Sequence, residues 1–216
     1  MDRDTAVALV AQRLGNRGST FNTQIINELK SAQSIMEARP TLPWFLLSRD
    51  TTLVATGGSD NTALPSTTAT STVRGSFIQE DDFGRLTINV SGTYTKVEKG
   101  DYNSLRGTTF YTTSALPTRY SIQAGTIFWF PTPDTTYATD IFYYQQDKVL
   151  TANIENEWLK YVPDVLITRA TGQMAKYLRD PAMLTAAIEE HTALVADMDA
   201  QTIARRAAAL DNDTGG

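Results

Sequence analysis

"TIFWFPTPDTTYATDIFYYQQ", Thr126 to Gln146, reads as two aromatic-rich strands around a proline-rich turn. The run could be an aromatic binding groove or a structural hairpin that closes a sheet. Aromatics on strands are more often cross-strand packing than ligand platforms, so the structural reading leads. The segments on either side of this run help to decide between the two.

Before it, the composition is dense in Thr, Ser, Gly, Tyr and Val, arranged in short alternating runs. In "RLTINVSGTYTKVEKG", Leu86, Ile88 and Val90 fall on one strand face, with Thr87 and Asn89 on the other. "TALPSTTATSTVRG" is poor in large apolar groups and is expected to be an extended edge or a surface loop. Both flanks are helical. In the first, Val7, Val10 and Leu14 recur at helical spacing, and "LGNRGST" breaks the pattern. Asn22 is placed to cap a second helix whose apolar face is Ile25, Ile26, Leu29, Ala32 and Met36, and Pro40 stops it.

After the strands, Pro163 and Asp164 suit a helix start, and Ile167, Ala170, Met174 and Leu178 form a stripe. Gly172 within it implies close packing on a neighbour. Asp180-Pro181 opens a further helix carrying Leu184, Ile188, Leu194, Val195 and Met198. Its stripe shifts phase around Ile203, where bending or fraying is expected, and "DNDTGG" reads as a polar tail.

An amphipathic helix pair cannot bury its face alone, so the terminal pairs are expected to pack together. The predicted fold is α+β: an antiparallel bundle of N- and C-terminal helices with an inserted antiparallel β-sheet domain, sandwich- or barrel-like. The expected divisions are 1–40 and 147–210 for the bundle, 41–146 for the insertion and 211–216 for the tail.

Chemistry is sparse. The chain has no cysteine, which excludes disulfides, thiol nucleophiles and thiolate metal sites. Its one histidine, His191, has no matching nucleophile or second ligand and reads as a core-edge or interface residue. Glu80, Asp81 and Asp82 in "QEDDFG" are consecutive, unlike calcium ligands, and suggest a solvated hairpin tip. "TGGSD" and "LGNRG" lack the spacing and the lysine of a phosphate loop. No catalytic residue, metal site or cofactor is predicted. A net charge of -5 argues against a tight grip on nucleic acid but suits a passage through which it slides. The amino-terminal residues do not read as a secretory signal and "PWFLL" is too short to cross a bilayer, so an unexported chain with no membrane contact is expected.

"LPTRYSIQAGTIFWFPTPDTTYATDIFYYQQ" resembles the hallmark segment of tailed-bacteriophage head-to-tail adaptor proteins, the connector or neck family. There a strand ending in Pro-x-Pro-Asp turns into one ending in a Tyr pair, here Pro131, Pro133, Asp134, Tyr143 and Tyr144. "IINELKSAQSIMEARPTLPWFLL" looks like the family's second helix and its Trp-Phe-Leu exit. "TALPS" resembles its Leu-Pro step, although relatives often carry an aromatic where this chain is Thr-rich. "NEWLKYVPDVLITRATGQMAKYLRD" is similar to its Trp-containing lead-in and third helix.

The resemblance implies a non-enzymatic virion protein, made in the host cytoplasm and placed in the neck. It implies a homo-oligomeric ring of about twelve copies between the portal protein and the tail nozzle or other tail proteins. Genomic DNA would pass along its channel without specific binding. The hairpin would then be fold-defining, and Ile203, Arg205, Arg206 and Leu210 would order on docking at the portal. Two other classes remain: a carbohydrate-binding module stacking sugars on Trp129, Tyr143 and Tyr144, and a hydrolase with dispersed carboxylates.

Overall fold

The computed structural model describes residues 1–15, 19–80, 85–107 and 113–213, with only the backbone described for Ser19 and residues 209–213. Two compact units result: Met1–Leu46, Ala69–Arg74 and Asp147 onward form one, and Leu47–Thr68 with Gly75–Gln146 form the other.

In the helical unit, each start has an identifiable cause. α1 (Arg3–Arg13) is capped by Asp2, whose carboxylate accepts from Thr5 N at 2.9 Å. α2 (Asn22–Glu37) follows a 3-10 turn at Ser19–Phe21. Here the structure corrects the sequence expectation. Asn22 is the first helical residue and Phe21 holds the cap position without a side-chain bond, because the preceding turn already leads the backbone into the helix.

In the rest of the chain, α3 (Tyr102–Arg106) is a short helix of the other unit, capped by Asp101. α4 (Glu157–Tyr161) is capped by Asn156. α5 (Pro163–Tyr177) begins on its proline, and Asp180 Oδ1 accepts from Met183 N at 3.0 Å to open α6 (Pro181–Asp213).

α5 is the axis of the helical unit, packing on α1, α2, α4 and α6. It is buried nearly all round, with Val165, Leu166, Ile167, Ala170, Met174 and Ala175 all closed off from solvent. α1 and α2 pack on it, and their Val7, Val10, Leu29 and Met36 are buried. Gly172 faces α6: a Cβ there would meet Ala187 Cβ at 3.4 Å and Leu184 Cδ1 at 4.0 Å.

Among the described residues the β unit holds two sheets. In the first, β10 (Tyr137–Gln145) is the spine. It pairs antiparallel with β1 (Leu47–Asp50), β2 (Val54–Ala55), β4 (Phe77–Glu80) and β5 (Leu86–Val90), and β6 (Thr93–Lys96) extends β5. In the second, the order is β3 (Asn61–Ala63), β9 (Thr126–Phe130), β8 (Arg119–Gln123) and β7 (Glu98–Lys99). Among the described strand pairs β7–β8 alone is parallel, a departure from the all-antiparallel expectation. Leu86, Ile88, Ile141 and Tyr143 from the first sheet and Tyr120, Ile127 and Trp129 from the second share one core. This is the sheet-on-sheet solution for two half-buried faces.

The run from Thr126 to Gln146 is therefore not a hairpin. β9 and β10 are both strands, but they lie in different sheets, and Pro131–Thr136 carries the chain from one to the other. Pro131 and Pro133 have no amide donor, so a local ladder cannot continue through them. The turn's carbonyls go elsewhere: Pro133 O accepts from Gly58 N at 2.8 Å and Thr132 O from Ala115 N at 3.0 Å. The Phe130–Pro131 bond is cis. Gly57 presses on this turn so closely that a Cβ would stand 2.9 Å from Thr135 backbone carbon.

Candidate functional site

The aromatic residues of the crossover strands are core, not platform. Trp129, Tyr143 and Tyr144 are 1%, 2% and 1% exposed, so none can stack a sugar. Trp129 Nε1–H donates to Thr62 Oγ1 at 2.9 Å, and the Tyr143 hydroxyl donates to Asp50 Oδ2 at 3.2 Å. Burial, with the Asp50 charge beside it, pushes the Tyr143 phenol pKa well up. The carbohydrate platform drawn from these three rings is thereby overturned. Period-2 alternation identified the strands but not how thoroughly a second sheet covers them. Asp134 does fix the turn, accepting from Thr135 N at 3.0 Å and from the Tyr137 hydroxyl at 2.6 Å.

Glu80 is also relocated. It is not part of a solvated tip but lies in β4, nearly enclosed, with Lys99 Nζ at 2.6 Å and the Tyr120 hydroxyl donating to it. Asp81 and Asp82 lie outside the described residues. Among the described residues no cluster of His, Asp or Glu could hold a metal ion. An open groove of about 450 Å³ is lined by Lys99, Gly100, Asp101, Tyr102, Ser121, Ile122 and Gln123. Its carboxylate is committed to capping α3, where the amide and hydroxyl of Ser104 hold the Asp101 pKa down. Its lysine is committed to Glu80. Those two charged groups are thereby engaged in structure rather than free for proton transfer.

His191 is half-buried on α6, and its Nδ1 lies 3.2 Å from Val165 O on α5. Burial first, then the charges of Arg169 and Arg39, lower its pKa below the usual value of 6.5. The imidazole is thus neutral near pH 7, with Nδ1–H donating to the carbonyl.

The end of α6 is the most exposed part of the sequence-predicted site. Ile203 is 63% exposed. Arg205 lays its guanidinium carbon 3.9 Å from the Trp44 ring centroid, and Arg206 Nη2 donates to Leu42 O at 3.2 Å. The Leu210 side chain lies outside the described residues. The expected fraying near Ile203 is not seen: α6 runs on to Asp213. Its buried face continues as Met198, Thr202 and Arg206 at four-residue steps, with Thr202 fully enclosed and its hydroxyl donating to Met198 O. That spacing was the available signal, hidden because two of the three residues are polar.

Trp44 belongs to a cluster no single motif revealed. Phe45 stacks on Tyr161 at 5.5 Å and meets Trp158 edge-on at 5.1 Å, while Trp44 meets Tyr161 at 4.7 Å. Beneath it lies a buried polar knot. Glu37 Oε1 accepts from Gln33 Nε2 at 2.8 Å, Trp158 Nε1 at 3.1 Å and Asp147 N at 3.2 Å. Asp147 in turn accepts from the Lys148 and Trp158 amides. Burial raises the pKa of both carboxyls. This knot fastens the chain to the end of α2 where it rejoins the helices.

The family model for the SU10 adaptor protein matches residues 1–214, and the chain belongs to that family of phage adaptor proteins, which are structural components of the virion. No curated protein matches the chain. No helix among the described residues is long and apolar enough to cross a membrane.

Proposed function

We propose that this member of the SU10 adaptor protein family forms the ring that joins the portal of a phage head to its tail. The match of the family model along residues 1–214 carries the reading. About twelve copies would close the ring through head-to-tail contacts of one kind, as cyclic assemblies do. The ring would continue the DNA channel in the virion neck and offer the tail nozzle or other tail proteins their attachment surface. The net charge of -5 supports a channel that DNA slides along rather than grips. Its role is structural, without catalysis or a cofactor.

The helical unit, 1–40 with 147–210 and the tail at 211–216, would contact the portal, and the inserted 41–146 region would hold its shape independently. Ile203, Arg205, Arg206 and Leu210 are the proposed portal contact. Because Arg205 and Arg206 already rest on Trp44 and Leu42, this end meets the portal in a preformed helix. Such a surface loses less conformational entropy on docking than a disordered tail.

Mass measurement of the purified chain, alone and mixed with its portal protein, tests both steps. Closed rings or a defined complex with the portal ring are expected. A chain that stays monomeric in both samples overturns the reading.

A further inference from the structure

The first sheet ends on two open strands. Along its path β1–β10–β5–β6, β1 and β6 each pair on one side only. Successive residues of an antiparallel strand turn their amide and carbonyl groups to alternate sides. Val97 N donates to Leu86 O, so Thr93 and Thr95 also face β5, and Tyr94 and Lys96 face outward. Phe142 N donates to Arg85 O, away from β1, so its register partner Arg49 turns outward, as does Leu47. All four residues of β6 are exposed, and so is Arg49. Among the described residues none of the four outward main-chain positions has another partner. Neither strand carries a proline to blunt its edge.

The two edges fit each other. Each strand has four residues, and the alternating path leaves β6 running opposite to β1. Rotation about a ring axis preserves strand direction, so β1 of the next copy would meet β6 antiparallel and continue the sheet. With Tyr94 opposite Arg49 of the next copy, and Lys96 opposite its Leu47, the outward groups meet as two hydrogen-bonded pairs. The same register sets Thr95 opposite Ser48, a hydroxyl pair that supports a sheet. The second sheet is less suited: it ends in three-residue β3 and two-residue β7, and Asn61 O of β3 already accepts from the Ser59 hydroxyl.

We propose that β6 of one copy adds to β1 of the next, which rests on the ring reading and assigns the strands that close the ring.

The chain has no cysteine, so an introduced cross-link reports cleanly. Within one chain Ser48 and Thr95 stand three strand spacings apart, about 14 Å, too far for a disulfide. Across the contact they form a non-hydrogen-bonded pair with Cα atoms about 4.5 Å apart, within disulfide range. The full chain carrying Ser48→Cys and Thr95→Cys is mixed with its portal protein, oxidised and run on a denaturing gel. Covalent dimers, trimers and longer species are expected, whereas each single variant stops at a dimer. Tyr94→Pro removes an outward amide and keeps the bonds to β5, so it should stay folded by circular dichroism and lose ring assembly. Mass measurement of the wild type separates the two readings. Wild-type rings without a ladder in the double variant overturn the β6–β1 contact and spare the ring. So do rings of undiminished yield from folded Tyr94→Pro. A wild type that stays monomeric with the portal overturns both.

Discussion

Arg205 covers the face of Trp44, its guanidinium carbon 3.9 Å from the ring centroid, and so pins the last turns of α6 to the loop that follows α2. A cation over an indole contributes about 0.5–2 kcal/mol depending on how far water is excluded. Trp44→Ala should therefore free the end of α6 without unfolding the unit. Hydrogen exchange across residues 202–208 should quicken by roughly threefold to thirtyfold. Unchanged protection there would mean that the Trp44 contact contributes nothing to holding the segment.

Gly172 offers a test in the opposite direction. A methyl placed on it would touch Ala187 Cβ at 3.4 Å, which is contact rather than collision. Glycine inside a helix costs about 1 kcal/mol against alanine. Gly172→Ala should raise stability by about 0.5–1 kcal/mol in chemical denaturation. Loss of stability would show that α5 and α6 need the closer approach that glycine permits.

Tyr143 separates volume from polarity. Its ring is 2% exposed and its hydroxyl donates to Asp50. Tyr143→Phe should cost about 1 kcal/mol for the lost bond, and Tyr143→Ala about 3–5 kcal/mol for the cavity. Equally mild effects in denaturation would contradict a ring packed between two sheets.

Glu37 should leave a pH signature. Its folded pKa lies above the reference value of 4.5, chiefly because burial disfavours the charge. Folding therefore favours the protonated form. The stability linked to this group is full below its unfolded pKa and is lost as pH rises through the folded value. Glu37→Gln cannot ionise, so its stability relative to wild type should improve from pH 4 to pH 8. Denaturation midpoints at several pH values would reveal this, and a constant difference across the range would refute it.

Much of the architecture was legible because helices and strands declare themselves by period. Val7, Val10 and Leu14, then Ile25, Leu29, Ala32 and Met36, then Ile167, Ala170 and Met174, repeat as one helix face each. Proline and aspartate at 163–164 and at 180–181 marked two starts that the backbone uses. The buried knot of Glu37, Asp147, Gln33 and Asn156 carried no such sign. Its members lie up to 123 residues apart and look like ordinary surface polar groups until burial forces them to satisfy one another.

Residue patterning along the chain sets the order helix, strand, helix and the apolar faces of those elements. The closed fold is what parts β9 and β10 into separate sheets, seals Trp129 and Tyr143 between them and rests Arg205 on Trp44. The reason is the range of the forces. Periodicity reports which side of an element avoids water, a local property written in neighbouring residues. Strand partners and side-chain contacts are chosen by hydrogen bonds and packing between segments far apart in the chain, and these exist only once the chain has closed on itself.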